Sequence, residues 1–243
     1  MSVSTRDFND WLHGAGLPTG VAELSTLLGM KRTTIQNQRL RGRMTVQTVI
    51  AAARAAHLNP LDVLGLFPGY TALVDERLPV TPAELLSQVT HTDALVHLMS
   101  QIRADIAHRL ADVSMSPIPS GESVRNWIDA VDPGDLRRQV TAQTGVAPSN
   151  FSAQLTENRL APNLAMLVSH ICGVSSASGF VVSGLITPAE AGWPPYGREN
   201  ALSEIGDMEL IDLVSARLAT LRRVTKKKVD TAEANNHYLE TLG

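Results

Sequence analysis

The spacing of apolar residues along the chain is helical. Phe8, Trp11 and Leu12 share one face of a segment that Ser4 can cap, and the stretch from Gly14 to Gly20, with Pro18 inside it, ends that segment. Val21, Leu24, Leu27 and Leu28 predict a short second helix stopped at Gly29. Thr33 to Leu40 predicts a third, ended at Gly42, where a left-handed residue just past the helix is expected. Thr45 caps a fourth through Ile50 and Ala53, and Asn59-Pro60 opens a fifth.

The same pattern returns at an offset of 116 residues without gaps. Trp11 falls on Trp127, Leu12 on Ile128, Leu24 on Val140, Gly29 on Gly145, Ile35 on Phe151, Gln38 on Gln154, Arg43 on Arg159, Ile50 on Met166 and Leu64 on Phe180. Matched Trp, Gly and Gln positions over that length identify a tandem duplication. The second copy fills the same jobs with other residues: Asp132-Pro133 starts its second helix, Pro148 stands in the first turn of its third, and Asn158 replaces Gly42 because Asn tolerates positive φ.

Each five-helix copy is followed by a stretch with its own start signal. Thr81-Pro82-Ala83-Glu84 is a capping box with Pro in the first turn, and Leu95, Leu98, Met99, Ile102, Ile106 and Leu110 continue as the apolar stripe of one longer amphipathic helix. Thr187-Pro188-Ala189-Glu190 repeats the box, but Trp193-Pro194-Pro195-Tyr196-Gly197 interrupts it before the stripe of Leu202, Leu210, Leu213, Val214, Leu218 and Leu221. A basic run, Arg222 to Lys228, follows, and the residues after it are expected to fray. The expected fold is all-α, divided at 1–66, 67–118, 119–186 and 187–243: repeat, linker with amphipathic helix, second repeat, and linker with helix and basic tail.

Composition sharpens this. At 243 residues, 44% apolar, 19% charged and 4% aromatic, the chain has an aliphatic core and is neither a disordered charged polymer nor an aromatic-rich β-sandwich. The single Cys172 makes no internal disulfide, the N-terminus lacks the plan of a signal peptide, and no run of about 18 apolar residues occurs, so a cytoplasmic protein is expected. The net charge of -3 hides an asymmetry: residues 1–65 carry seven Lys/Arg against four Asp/Glu, and in each later quarter the acids are in excess. Within that first quarter Lys31, Arg32, Arg39, Arg41 and Arg43 come with no acid between them.

Leu24-Ser25-x3-Gly29-Met30-x2-Thr33-Thr34-Ile35 resembles the helix-turn-helix of the lambda-repressor-like (Xre-type) DNA-binding family. In such a motif Ser25 is small enough for the second helix to approach the third, Gly29 makes the turn, and Ile35 locks the recognition helix into the core. The resemblance implies that Arg32 and Thr33, beside Lys31, take the first base contacts, that Gln36 and Asn37 follow one turn on, and that Arg39, Arg41 and Arg43 meet phosphate. The second copy, Thr141-x3-Gly145-Val146-x2-Ser149-x-Phe151, keeps the scaffold but presents Pro148, Ser149, Ser152 and Ala153, with Arg159 as its nearby base and Glu157 beside it. A second, weaker DNA site at Ser149, Ser152 and Arg159 and a surface turned to protein contact both remain open. Five helices, then T-P-x-E, then an acidic helix rich in Leu and Ile is similar in order to small actinobacterial or prophage repressors, here fused twice.

Other chemistry finds little support. His91 and His97, six apart, do not share a helix face, so no metal site is expected. The lysines are Lys31 and Lys226 to Lys228, with no strand-rich domain for a self-cleaving Ser/Lys dyad, and no phosphate-binding Gly loop or nucleophile elbow is present. No catalytic residue and no cofactor are expected. Cys172 reads as a small core residue and Trp11 and Trp127 as core anchors. The expected function is that of a transcription regulator, a repressor rather than an activator, whose partner is double-stranded DNA. The rival is a protein-interaction module, an antitoxin or adaptor, on the same scaffold. Half-sites could be paired by the two repeats as a pseudo-dimer or by a homodimer through the stripes at residues 92–110 and 207–224; the uneven charge of the repeats favours the homodimer. The sequence names no small-molecule effector.

Overall fold

The computed structural model describes residues 2–75 and 77–242, with side chains throughout that range except at 227 and 232–242. In chain order the elements are β1 (Val3–Ser4), α1 (Thr5–Gly14), α2 (Val21–Leu28), α3 (Arg32–Leu40), β2 (Arg43–Met44), α4 (Val46–Ala55), α5 (Pro60–Gly65), α6 (Ala72–Asp75) and α7 (Pro82–Ser87). Then come α8 (His91–Ile102), α9 (Ala104–Leu110), α10 (Ser123–Val131), α11 (Leu136–Thr144), α12 (Pro148–Thr156), α13 (Pro162–Cys172), α14 (Ser176–Val182), α15 (Gly197–Glu204) and α16 (Asp207–Leu242). The protein is mainly helical, as its periodicity requires. The one exception among the described residues is the antiparallel pair β1–β2, with Val3 opposite Met44 and Ser4 opposite Arg43, two residues a side and too short to leave an alternating signature. No helix among the described residues is long and apolar enough to cross a membrane.

The helices of the two repeats fall in register. α3 and α12 lie 116 positions apart at both ends, and α1, α2, α4 and α5 answer to α10, α11, α13 and α14 within two residues. Matched positions fill matched cores: Leu24 and Val140, Ile35 and Phe151, and Leu64 and Phe180 are all fully buried. The caps agree as well. Ser4, Thr45 and Asn59 each accept a backbone N–H at the start of their helices. Gly42 sits at φ +69° and Asn158, its counterpart, at +51°. Asn158 adds what glycine cannot, accepting the Val124 N–H at 3.0 Å and donating to the Ser120 carbonyl at 2.7 Å.

Two compact units emerge, Met1–Gln88 with Ile118–Pro195 and Val89–Pro117 with Tyr196–Gly243. Both repeats therefore belong to one unit, and the later parts of the segments that follow them make the other. Inside the first unit the repeats are tied by Arg54 of α4, whose Nε and Nη2 donate to the two carboxylate oxygens of Glu190 at 2.6 and 2.7 Å. The same Nη2 reaches the Leu185 carbonyl at 3.2 Å, and Asn59 Nδ2 donates to the Glu190 carbonyl at 3.0 Å. The guanidinium holds the Glu190 carboxyl down to about 2. α7 makes a second tie by packing on α10: buried Glu84 accepts from Trp127 Nε1 at 3.3 Å while its other oxygen closes the capping box with Thr81.

The segments after the repeats depart from expectation. From Thr81 onward the first is three helices, α7, α8 and α9, rather than one. Thr90 and Asp93 form a further capping box that starts α8 afresh, and Arg103, at φ -127° and ψ 77°, breaks the backbone between α8 and α9. The second Thr-Pro-Ala-Glu box closes only a single turn, with Glu190 Oε2 accepting the Thr187 N–H at 2.7 Å, and that same carboxylate is the one engaged by Arg54. The helix proper begins beyond the Pro-Pro at α15. α16 continues through the residues expected to fray as far as Leu242. In the second unit α8 packs on α16, burying Leu210 and Val214. Part of each stripe is thus covered within the chain, while Met99, Ile102, Leu218 and Leu221 stay 37–67% exposed.

Candidate nucleic-acid interface

The turn between α2 and α3 is built as its residues require. Gly29 stands at φ +62°, with open space where a Cβ would go, so the need for glycine is conformational. Gly145 does the same at +68°. Ser25 Oγ donates to the Met30 carbonyl at 2.6 Å, satisfying a backbone acceptor that the turn would otherwise strand. Ile35 is fully buried, which fixes the rotation of α3 about its axis.

Gln38 completes the lock. Its Oε1 accepts the Thr45 N–H and the Thr48 hydroxyl, each at 2.9 Å, so the inner end of α3 is bonded to the start of α4. Gln154 does this for α12, accepting the Ala161 N–H at 2.9 Å. A glutamine matched across the repeats was the sequence signal for this pair; the structure supplies its cause.

With Ile35 and Gln38 inward and Arg39 half-buried, the remaining positions of α3 face solvent. Lys31, Arg32, Thr33, Gln36 and Asn37 are all exposed, in two successive turns. Thr34 is exposed beside them, and Leu40 is 78% exposed, four residues on from Gln36 and three from Asn37. Sequence reasoning passed over Leu40; its helical spacing from the polar row was the signal that could have found it. No side chain caps α3 and no acid lies in its first turn, so its N-terminal N–H groups and the positive end of its dipole are left beside Lys31 and Arg32.

The three following arginines separate. Arg41 and Arg43 are exposed, Arg41 as the C-cap of α3 and Arg43 in β2 with Met44 buried behind it. Arg39 is half-buried. It lies four residues after Ile35, its Nη2 donates to Asn9 Oδ1 on α1 at 3.1 Å, and its Nε is buried without a hydrogen-bond partner among the described residues. Its place is a brace between α1 and α3.

On the second repeat Ser149 is exposed and Ser152 half-buried, while Arg159 is exposed but paired with Glu157 at 2.5 Å. Pro148, Ala153 and this neutralised pair leave α12 without a charged row. Two further basic residues, Arg137 and Arg138, are exposed at the start of α11, with Arg138 bound to Asp135 at 2.5 Å. Trp127 is fully buried, and half-buried Trp11 lies between Phe8 and Phe67 at ring separations of 6.0 and 6.5 Å. Burial, with the charges of Asp132 and Glu84 behind it, raises the Cys172 thiol to about 11, which keeps it protonated at neutral pH. His91 and His97 lie on α8, and among the described residues no group of three His, Cys, Asp or Glu is placed to hold a metal ion.

No protein-family model, curated protein or solved structure matches this chain.

Proposed function

We propose that the chain is a sequence-specific, double-stranded-DNA-binding transcription regulator, a cytoplasmic repressor whose two repeats are lambda-repressor-like five-helix units. One observation carries the reading. α3 is fixed on its inner side by Ile35 and Gln38 and presents Lys31, Arg32, Thr33, Gln36 and Asn37 as an exposed row with no acid in it. A helix of this kind reads base edges in the major groove with its N-terminal residues. Arg32 and Gln36 have the forked donors and acceptors that pair bidentately with guanine and adenine, and Leu40 offers the apolar contact that a thymine methyl takes. Arg41 and Arg43 supply phosphate contacts, and Arg39 acts by holding α3.

The neutral face of α12 favours a different task for the second repeat. Its serines and paired Arg159 suit a protein surface or loose contact with flanking DNA better than base reading, which is where the interaction-module reading applies. A homodimer through the apolar residues left open on α8 and α16 would place two copies of α3 on one operator. Selection of bound fragments from a random duplex library tests the whole. The expected outcome is one enriched motif, and Arg32→Ala relaxes it at one or two positions, each worth about 1–3 kcal/mol. No enrichment, or a uniform loss in the variant, overturns base reading by α3.

A further inference from the structure

The second unit contains a cavity of about 370 Å³ that the DNA-binding reading leaves unused. One face of α8, with Val96, His97 and Ser100, forms a wall; α9, the stretch after it from Ala111 to Met115, and Leu202 of α15 contribute the other sides. The volume stands at the lower end of the roughly 300–1,000 Å³ of small-molecule sites, and the lining has their character, mostly apolar with a few convergent polar groups.

Those polar groups select a ligand. Asp93 reaches the cavity, but its carboxylate is spent: Oδ1 accepts from Ser116 N and Oγ at 2.8 and 2.9 Å, and Oδ2 from Thr90 N and Oγ1 at 2.9 and 2.8 Å. The Ser100 hydroxyl gives its proton to the His97 carbonyl at 2.7 Å, which leaves it to the cavity as an acceptor. Burial lowers the pKa of His97, so its ring is neutral at neutral pH. Glu199, an exposed residue of the lining, carries the remaining full charge, and the adjacent Arg198 guanidinium acts on it electrostatically. No Lys or Arg lines the cavity; Arg198, next in sequence, is half-buried and donates Nη1 to the Ser116 carbonyl at 2.9 Å.

We infer that this cavity is a binding site for a small molecule with an apolar, ring-sized body and a protonated amine, the body between α8 and α9 and the amine toward Glu199. An anion would meet the Glu199 carboxylate, and no Lys or Arg of the lining offers it a direct contact. A neutral analogue would fill the cavity without adding a charge contact to Glu199. The site stands apart from the DNA-binding reading, and its test is run without DNA.

The probes are naphthylmethylamine, naphthylmethanol and naphthoate, titrated calorimetrically into the full chain. The amine is expected to bind saturably at one site, the alcohol at least about tenfold more weakly, and the carboxylate more weakly still. Glu199→Gln, at an exposed position, should bring amine and alcohol to within about threefold of each other, and Ala107→Trp should abolish binding of both while circular dichroism shows the helices intact. No saturation by the amine at about 1 mM, equal affinity for all three probes, or undiminished preference for the amine in Glu199→Gln overturns the inference, whether or not the tryptophan variant folds.

Discussion

The bond between Arg54 and Glu190 joins the repeats across 136 residues of sequence and makes stability depend on pH in a defined window. The perturbation is Glu190→Gln. Glutamine keeps an oxygen that can accept the Thr187 N–H, and the Asn59 contact goes to the backbone carbonyl, so the turn at 187–190 survives while the charge and one of the two acceptor oxygens facing Arg54 are removed. The Glu190 carboxyl falls from 4.5 to about 2 in the folded chain, chiefly through the hydrogen bonds from Arg54. At full strength that difference would correspond to about 3 kcal/mol. The Arg54 side chain is 46% exposed, however, and water screens a pair of this kind, so about 1–2 kcal/mol is the expected contribution.

The sign follows from the direction of the shift. A carboxyl depressed on folding contributes fully above its unfolded value near 4.5, and the contribution is lost as the pH falls from there toward 2. Urea denaturation of both proteins, followed by tryptophan fluorescence at intervals from pH 7 to pH 2, measures it. Other carboxyls titrate in the same range, Asp93 and Asp135 among them, but they are common to both proteins and cancel in the difference. The difference should be about 1–2 kcal/mol at pH 7, flat down to about pH 5, and close to zero at pH 2. A difference that does not change between pH 7 and pH 2 would show that the carboxylate charge is not what joins the repeats there, and would refute the reasoning.

Gln38→Ala leaves the Thr45 N–H without its acceptor and the buried Thr48 hydroxyl with Thr45 Oγ1 alone, at an expected cost of about 1–3 kcal/mol in thermal or urea unfolding, whereas Gln154→Ala strands one donor and should cost less. Equal losses would mean that the glutamines act by packing alone. If Arg41 and Arg43 meet phosphate, Ala at either should weaken binding to all duplexes and flatten the slope of log K against log salt by about one unit. Arg39→Ala, bound to Asn9, should instead lower stability by about 1 kcal/mol with a smaller change of slope. Sedimentation of the chain at micromolar concentration should show a dimer that Leu218→Asp with Leu221→Asp dissociates, both positions being open on α16; a monomer before substitution removes the homodimer.

What could be read from the sequence was local. Ten helices in two matched sets, most of their caps, and the positive φ at Asn158 follow from signals within a few residues of each element and stand; Asp132-Pro133 does not open α11, which begins at Leu136 after a turn in which Asp132 Oδ1 accepts the Gly134 and Leu136 N–H groups. Signals that compete over longer distances were not legible. The stripe from Leu95 to Leu110 has continuous helical spacing, yet a capping box at Thr90 and a turned backbone at Arg103 divide the segment, because a periodic pattern does not record whether the backbone between its members is unbroken. Arg39 looked like its neighbours by charge; the contact with Asn9 thirty residues away decides its role. Leu40 was hidden by the opposite habit, that of assigning leucines to the core. The second Thr-Pro-Ala-Glu box matched the first in letters, but its glutamate is held by Arg54 and the helix that answers to α7 begins ten residues later, after the Pro-Pro.

The duplication explains why the two faces came to differ. A repeat must keep Ile35 or Phe151, Gln38 or Gln154, and a residue that accepts positive φ after the third helix, because those positions hold the scaffold together; its outward positions carry no such constraint. The scaffold positions are the ones that match, and the outward ones are the ones that diverged, with Lys31, Arg32 and Gln36 on one side and Ala147, Pro148 and Ser152 on the other. Since both repeats share one compact unit, an intramolecular pair would bring one charged and one neutral face to an operator. Binding energy would then come from one half-site only, and the site would be asymmetric. If α3 reads DNA as proposed, a second chain would supply a second charged α3 and with it a symmetric site, and the symmetry of a selected operator would distinguish the two pairings.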